Sequence, residues 1–257
     1  MPVRPKKGLG QHFLRDRNIA RKIVDSLDAP PSGSILEIGA GTGILTGYLF
    51  EKYPHLHVIE IDREAWEFLQ GAFPAGRDRI ILGDFLKSDL PDVLPPPLAI
   101  IGNFPYNISS QIFFRVLSLR QKVGQVVCMV QREVADRIRA PHGSKTYGIL
   151  SVLLQAWYGI EFLFPVSPKV FLPPPKVQSA VLRLRRNGVS RLSCDEDLFF
   201  RVVKTAFNQR RKTLRNSLGR QFTIPDPGKD LFGLRPEQLP VEGFVELTRQ
   251  LGEGLSG

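Results

Sequence analysis

The residues best suited to chemistry lie in the segment Gly102–Asn107, which follows a short apolar run. The Asn103 side-chain carbonyl, with a backbone carbonyl from Phe104 or Pro105, can accept both N–H groups of an aryl amine such as adenine N6. Such acceptors would hold the amine out of the ring plane and free its lone pair for methyl transfer. Pro105 fixes the turn, and the Tyr106 ring can stack on the base. The alternative is an Asn-Pro-Tyr turn that merely ends a strand.

Three other motifs follow predicted strands. Gly39, Gly41 and Gly43 are spaced G-x-G-x-G, which lets the backbone turn tightly beside a ligand. Glu60 can accept hydrogen bonds from ribose hydroxyls, and Asp84 suits the exocyclic amine of an adenine. The spacing differs from the G-x-G-x-x-G of dinucleotide folds, and no Gly-Lys-Ser/Thr follows. Alone, each motif is also typical of a structural turn or a helix cap, but together they predict a site for S-adenosylmethionine better than one for NAD.

Alternating apolar runs and helical patterns predict the elements that position these motifs. Continuous apolar strands between helices indicate a mainly parallel sheet covered on both faces, and two later strands are expected to add an antiparallel edge. The predicted strands are 35–38, 56–59, 79–82, 98–101, 125–130, 160–165 and 177–185, and the predicted helices are 44–53, 63–73, 109–120 and 148–158. The fold class is therefore α/β.

The pattern changes near residue 190, where Asn187–Ser190 is typical of a linker. Beyond it the apolar spacing is helical only, with Asp195 to Asp197 placed to cap a helix. We therefore predict two domains: a catalytic domain over residues 1–190 and a small all-α domain over residues 191–257.

The small domain contains a basic stretch. Between residues 198 and 225 there is no acid and there are seven basic residues: Arg201, Lys204, Arg210, Arg211, Lys212, Arg215 and Arg220. A helix here would bury Leu214 and Leu218 and point Lys212 and Arg215 outward. Uncompensated like charges favour a polyanion, so Arg210, Arg211, Lys212 and Arg215 are candidate RNA contacts. The alternatives are a solvated face, or pairing of Arg210 or Arg211 with an acid of the large domain.

Composition limits the class of protein. The chain has 257 residues and a formal net charge of +10, from 35 Lys and Arg against 25 Asp and Glu. Two cysteines exclude a disulfide scaffold and a four-cysteine zinc site. No stretch approaches the ~20 apolar residues of a membrane span, and no apolar signal core follows the basic start. We expect a cytoplasmic protein that binds nucleic acid, with no metal and no membrane partner.

These motifs together resemble the ribosomal RNA adenine N6,N6-dimethyltransferase family, which includes the small-subunit dimethylases and the macrolide-resistance methylases. Phe104 replaces the family's leucine at an apolar position and leaves the acceptors intact. The matching segments are Leu9–Leu14, Glu37–Gly43, Glu60–Asp62, Gly83–Asp84, Asn103–Asn107, Gln131–Arg137, Phe171–Ser179 and Phe207–Leu218. The last segment, Phe207–Leu218, resembles the small-subunit dimethylases, whereas the macrolide-resistance methylases diverge there.

The resemblance implies a Rossmann-like class I methyltransferase fold and adds residues to the site. The implied cofactor contacts are His12, Leu14, Gly39, Glu60, Asp84 and Asn103. Phe171 would stack on the target base opposite Tyr106. From composition alone, His12 is typical of a surface histidine and Phe171 of a core residue.

The resemblance also implies a substrate, namely two adjacent adenosines in the 3′-terminal hairpin loop of 16S rRNA, within the small subunit or its precursor. The protein is expected to act as a monomer. The alternatives are a macrolide-resistance methylase acting on large-subunit rRNA and a ribosome-assembly factor with secondary methylation. An NAD oxidoreductase is disfavoured by the glycine spacing.

Overall fold

The computed structural model describes residues 3–30, 33–224, 226 and 228–253. Within them, seven strands form one sheet in the order β4-β3-β2-β5-β6-β9-β7, and β1 pairs with β8 in a separate two-stranded ribbon. The strands are β1 (Phe13–Leu14), β2 (Ser34–Ile38), β3 (Leu56–Glu60), β4 (Ile80–Leu82), β5 (Leu98–Asn103), β6 (Val123–Gln131), β7 (Tyr158–Val166), β8 (Phe171–Leu172) and β9 (Ser179–Arg186).

The sheet is mainly parallel, as predicted. Strands β2 to β6 pair in parallel, and β9 runs antiparallel to β6, which confirms the expected antiparallel addition. Most predicted boundaries differ from the observed ones by one or two residues, and the largest difference is three residues. The helix predicted to reach Tyr158 ends at Gln155, and Tyr158 begins β7 instead. The apolar spacing around Tyr158 is compatible with a helix or a strand. Pairing at the edge of the sheet satisfies backbone groups that would lack partners at a helix end.

Helices connect the strands and continue beyond the sheet. They are α1 (Arg17–Asp25), α2 (Ile44–Lys52), α3 (Arg63–Ala72), α4 (Leu90–Val93), α5 (Ser109–Ser118), α6 (Arg132–Ile138), α7 (Ile149–Gln155), α8 (Glu196–Asn208), α9 (Leu214–Leu218), α10 (Asp230–Gly233) and α11 (Val241–Glu253). Asp16, Asp62 and Asp195 precede α1, α3 and α8, and each carboxylate accepts hydrogen bonds from free N–H groups of the first turn.

Both faces of the central strands are covered. In β5, the consecutive residues Ala99, Ile100 and Ile101 are all buried, although neighbouring side chains point to opposite faces. On one face, Ala99 and Ile101 share a buried cluster with Ile23 of α1 and Leu49 of α2. This packing fixes the carboxyl ends of the strands, where the predicted site lies.

The chain forms two compact units. The first contains the residues up to Ala135 together with Ile160–Arg186, and the second contains Asp136–Gly159 and the residues from Asn187 onward. The second unit thus includes a segment that lies before the division expected at residue 190. In its interior, the Trp157 ring stacks on Phe200 at 5.7 Å between centroids, and the Phe207 ring stacks on Phe244 at 5.8 Å. The functional assignment of each part stays a prediction.

Across the described part of the chain, we find no helix with the length and apolarity needed to cross a membrane.

Candidate active site

A cavity of about 510 Å³ opens at the carboxyl ends of β2, β3, β4 and β5. This volume lies within the roughly 300–1,000 Å³ that is typical of small-molecule sites. Most of the residues predicted from the sequence line it: His12, Gly39, Gly41, Glu60, Asp84, Asn103, Pro105 and Tyr106. The fold therefore brings motifs from five parts of the chain to one place.

The glycine loop after β2 forms one wall. Gly41 has a φ of 56°, and a Cβ atom there would lie 2.8 Å from Cε1 of Phe13. Any side chain would therefore be strained by the backbone and would collide with the ring. The Phe13 ring lies directly over this loop, so a segment from the beginning of the chain closes this side of the cavity.

Glu60 joins the glycine loop to the end of β3. It is 2% exposed, its Oε2 accepts a hydrogen bond from the Gly41 N–H at 2.8 Å, and its Oε1 accepts one from the Asp62 N–H at 2.9 Å. Burial raises the pKa of Glu60. Each carboxylate oxygen has a second lone pair that can accept from a ribose hydroxyl. The position of Glu60 thus fits the predicted role.

Asp84 follows β4 on the next side of the cavity. Its Oδ1 accepts a hydrogen bond from the Leu86 N–H at 2.9 Å, which orients the carboxylate. Its Oδ2 has no hydrogen-bond partner within the described structure. This oxygen can therefore accept from an amine on a bound base.

Asn103 ends β5 with a defined amide orientation. Its Nδ2 donates to the His12 carbonyl at 2.8 Å, and a carbonyl oxygen can only accept, so Oδ1 must point the other way. That Oδ1 is buried and has no partner among the residues that the structure describes. A buried acceptor without a donor is costly, so this oxygen is poised for a donor from a ligand.

The backbone after Asn103 narrows the choice of a second acceptor. The Pro105 carbonyl accepts a hydrogen bond from the Ile108 N–H at 3.2 Å. The Phe104 carbonyl accepts no hydrogen bond within the described chain, so it is the better candidate for the second acceptor. The Phe104 side chain is buried and its ring packs edge-on against Phe113 at 5.8 Å, as expected for an apolar position.

Tyr106 is held from two sides. Its ring lies 5.2 Å from the His12 ring, with 31° between the planes, and its hydroxyl is hydrogen-bonded to the Ser179 hydroxyl. Ser179 is fully buried. Nδ1 of His12 donates to the Pro173 carbonyl at 2.8 Å, because that oxygen can only accept. Burial raises the pKa of Tyr106. Ser179 ends the matched segment Phe171–Ser179, but no role was predicted for it.

Leu14 and Phe171 lie outside the lining of the main cavity, although Leu14 lines a smaller pocket together with Gly39, Gly41 and Asn103. Neither is among the residues that line the 510 Å³ cavity, and both are 3% exposed in the buried cluster below the sheet. They face each other across the β1–β8 ribbon. Phe171 is therefore a core residue in this conformation, and stacking on a base would require its ring to leave the core.

Two charged residues without a predicted role also belong to the site. Glu37 is 1% exposed beneath the glycine loop, and burial raises its pKa to about 8. Asp62, 2% exposed, accepts hydrogen bonds from Lys6 and Gln11. A carboxylate just before a helical pattern indicates a cap, and Asp62 also ends the matched segment Glu60–Asp62, but neither signal indicated its contacts with Lys6 and Gln11.

The basic residues of the second unit differ from the prediction in local structure. Residues 209–213 lie in a turn, so Arg210, Arg211 and Lys212 are not on a helix, and α9 starts only at Leu214. Asn208 and Thr213 favour an interruption here, because an Asn side chain competes for backbone hydrogen bonds and a β-branched Thr loses rotamer freedom in a helix. Leu214 and Leu218 are buried as expected, while Arg211, Lys212 and Arg215 are exposed.

Arg210 has partners within its own unit. Its Nε lies 3.8 Å from Oε2 of Glu237, and its Nη2 donates to the Ser144 carbonyl at 3.4 Å. The alternative that Arg210 pairs with an acid of the large domain is therefore wrong, because its ion-pair partner Glu237 belongs to the second unit.

In the described ranges, no group of three or more His, Cys, Asp or Glu side chains is arranged to hold a metal ion.

Comparison with known proteins identifies the family. The profile of the ribosomal RNA adenine dimethylases matches residues 3–225. A "Ribosomal RNA small subunit methyltransferase A" from Parabacteroides distasonis is 56% identical over 96% of this chain and 93% of its own length. The protein of the same name from Cytophaga hutchinsonii is 53% identical over 97% of this chain and 98% of its own.

Solved structures agree with the predicted methyltransferase fold. A dimethyladenosine transferase from Plasmodium falciparum has a TM-score of 0.79 and 25% identity, covering 95% of this chain and 98% of that one. The 23S rRNA methyltransferase ErmE has a TM-score of 0.68 and 26% identity, covering 93% and 100%. With residues 3–225 matched by the profile and two relatives at 56% and 53% identity over nearly the whole chain, the chain belongs to the ribosomal RNA adenine dimethylase family.

Proposed function

We propose that the chain transfers methyl groups from S-adenosylmethionine to N6 of two adjacent adenosines in the 3′-terminal hairpin loop of 16S rRNA. The observation that supports this most directly is the buried, unpartnered Oδ1 of Asn103 at the wall of the cavity. The curated relatives are named as small-subunit ribosomal RNA methyltransferases, which supports the choice of RNA.

The cavity fits the methyl donor by its chemistry. Glu60 can accept hydrogen bonds from ribose hydroxyls, Oδ2 of Asp84 can accept one from the adenine amine, and Gly39 leaves room for a ligand close to the backbone. No phosphate-binding loop is present in the sequence. When bound, S-adenosylmethionine supplies an electrophilic methyl group.

The protein's contribution to the reaction is positioning and electrostatics. Oδ1 of Asn103 and the Phe104 carbonyl accept the two N–H groups of the target amine and favour its pyramidal geometry, in which the lone pair is free to attack. Tyr106 supplies the ring on which the base stacks. Loop adenines are already partly unstacked, which lowers the cost of bringing one into the site.

The polyanionic substrate is bound by charge. Exposed Arg211, Lys212 and Arg215 lie in a stretch without acids, and the whole chain has a net charge of +10. Such groups bind phosphates without reading sequence, so they hold the RNA while the cavity selects the base. The substrate is 16S rRNA in the small subunit or its precursor, and the enzyme acts as a cytoplasmic monomer.

The second candidate is a large-subunit methylase. The likeness to ErmE supports it, but its TM-score of 0.68 is below the 0.79 of the dimethyladenosine transferase, and the curated relatives given above are small-subunit enzymes. A role as an assembly factor is compatible with the proposed activity and does not replace it.

The test supplies methyl-labelled S-adenosylmethionine with unmethylated small subunits and, separately, with large-subunit RNA. We expect label on two adjacent adenosines near the 3′ end of 16S rRNA, with up to two methyl groups on each. Label confined to large-subunit RNA would establish the second candidate. Absence of label on both, with NAD bound tightly in calorimetry, would overturn the cofactor assignment.

A further inference from the structure

The beginning of the described chain, residues 3–14, crosses the cofactor side of the cavity and is here named the arm. It contacts the glycine loop and the segment Asn103–Asn107. The Phe13 ring covers Gly41, the His12 carbonyl accepts from Asn103, and Gly10 lies so close to Asn107 that a Cβ atom there would be 2.6 Å from Oδ1. Residues Leu9–Phe13 line the cavity itself, so the arm forms part of the wall against which a cofactor would bind.

The polar attachment of the arm is concentrated on one buried side chain. Asp62 accepts hydrogen bonds from the Lys6 ammonium group and from Nε2 of Gln11, the latter at 3.1 Å. Its carboxylate also caps α3 by accepting from the Glu64 N–H at 3.0 Å. Burial opposes ionisation, but the bonds from Lys6 and Gln11 lower the pKa of Asp62. Asp62 is therefore a charged acceptor with at least three donors.

The same residue is bonded to the proposed ribose acceptor. The Asp62 N–H donates to Oε1 of Glu60 at 2.9 Å, and Oε2 of Glu60 accepts from Gly41 at 2.8 Å. A continuous set of hydrogen bonds thus runs from Lys6 and Gln11 through Asp62 to Glu60 and the glycine loop. Small apolar contacts accompany it, since Val3 and Phe13 share a buried cluster with Ala65 of α3.

We propose that Asp62 is a positioning residue that couples closure of the arm to the cofactor-binding carboxylate Glu60. Release of the Lys6 and Gln11 contacts opens the arm and lets spent cofactor leave between successive methyl transfers. This inference rests on the proposed function, because it assumes that the cavity binds S-adenosylmethionine and its product, S-adenosylhomocysteine.

The experiment measures the dissociation rate of S-adenosylhomocysteine from the full chain by stopped-flow competition. Asp62→Asn keeps an oxygen that can cap α3 but cannot accept from both arm donors and has no charge. Lys6→Ala removes one donor without touching Asp62. Lys7→Ala is the matched control, because Lys7 is an exposed neighbour in the same segment.

We expect Asp62→Asn to raise the dissociation rate about tenfold, the scale of losing a charge-assisted hydrogen bond. Lys6→Ala has a smaller effect, about threefold, because the Lys6 side chain is 45% exposed and its pairing is weakened by water. Lys6→Arg retains the wild-type rate. The double variant Lys6→Ala/Asp62→Asn has nearly the same dissociation rate as Asp62→Asn alone, since both substitutions remove the same Lys6–Asp62 interaction.

A merely structural role would lower thermal stability and leave the dissociation rate unchanged, and this result would overturn the inference. An equal rise in the dissociation rate for Lys7→Ala and Lys6→Ala would also overturn the inference. Failure of the wild-type protein to bind S-adenosylhomocysteine would instead contradict the proposed function itself.

Discussion

At the scale of single residues, the site depends on groups whose orientation is fixed by partners outside the reaction. Asn103 is the clearest case, because donation of its Nδ2 to the His12 carbonyl fixes the direction of its amide and leaves Oδ1 without a partner among the described residues. In the proposed reaction, the amine therefore meets an acceptor that is already oriented, which is the condition for strong electrostatic catalysis.

Replacing Asn103 tests this directly. We expect Asn103→Ala to lower the single-turnover rate by about 10²-fold or more, the usual cost of losing one preorganised polar contact. RNA affinity stays nearly unchanged because phosphate contacts dominate it. Asn107→Ala, at an exposed position of the same segment, is the control. A near-native rate for Asn103→Ala with a reduced rate for Asn107→Ala would transfer the acceptor role to Asn107.

The Tyr106 hydroxyl has a partner that the sequence did not reveal. From stacking alone, Tyr106→Phe is expected to be mild, because the ring is retained. The bond to buried Ser179 adds a way for the hydroxyl to fix the ring. We therefore expect Tyr106→Phe and Ser179→Ala to raise KM for RNA by similar factors, about two- to tenfold, and to be non-additive when combined. Additive effects in this double-mutant cycle would show that the two residues act separately.

Glu37 gives the ligand-free protein a pH-dependent stability. Its folded pKa of about 8 lies above the ordinary value of 4.5, so between these values the folded state holds a proton that the unfolded state has released. The stabilisation is complete below about pH 4.5 and is lost as the pH rises to about 8. Urea unfolding of wild type should show a fall of up to about 1.4 kcal/mol per pH unit in this range. Glu37→Gln should flatten that part of the profile, and an unchanged profile would contradict the assignment.

At the scale of elements, the turn at residues 209–213 separates two kinds of basic residue. Arg210 is tied to Glu237 and to the Ser144 carbonyl, whereas Arg211 and Lys212 are exposed. The turn therefore has one arginine that supports its conformation and others that remain available to phosphates.

This separation predicts different phenotypes. Lys212→Ala and Arg215→Ala should each reduce the slope of log K for RNA binding against log salt by about one, without changing cofactor binding. Arg210→Ala should mainly lower thermal stability, because it leaves the half-buried Glu237 without its cation. If the double variant of Lys212 and Arg215 retains the wild-type salt slope, the basic stretch is only a solvated face.

Sequence patterns predicted the elements better than the details of the site. The strand ends and the residues Glu60, Asp84 and Asn103 were accessible because apolar periodicity and motif spacing are local properties. The roles of Asp62 and Ser179 were not, because their partners Lys6 and Tyr106 lie 56 and 73 residues away. The basic helix was placed wrongly because the helical spacing of Leu214 and Leu218 was extended backward over a polar turn.

At the scale of the whole molecule, one compact unit is made from two separate stretches of chain. Residues 136–159 pack with the helices after residue 187, although the sequence suggests a simple division near residue 190. The fully buried Trp157 illustrates this, since it packs against Phe199 and Phe200 of α8.

A chain cut after residue 190 should therefore be destabilised. Loss of α8 exposes Trp157, and removing partners from a large buried aromatic residue costs about 3–5 kcal/mol. We expect a lower melting temperature and a red-shifted tryptophan emission relative to the full chain. The same truncation with Trp157→Phe identifies which tryptophan reports the change. A fragment that melts like the full chain would show that residues 136–159 are stable without α8.

The β1–β8 ribbon also sets the order of events during synthesis. Phe13 pairs with Leu172, a separation of 172 − 13 = 159 residues, so the first strand to leave the ribosome waits for almost the last part of the catalytic unit. At about 5–20 residues per second, that delay is roughly 8–30 s. During this time only the contacts with Asp62, the glycine loop and Asn103 hold the arm in place. A nascent chain therefore completes the ribbon over its reaction centre only after residue 172 of 257 has been added, about two-thirds of the way through translation.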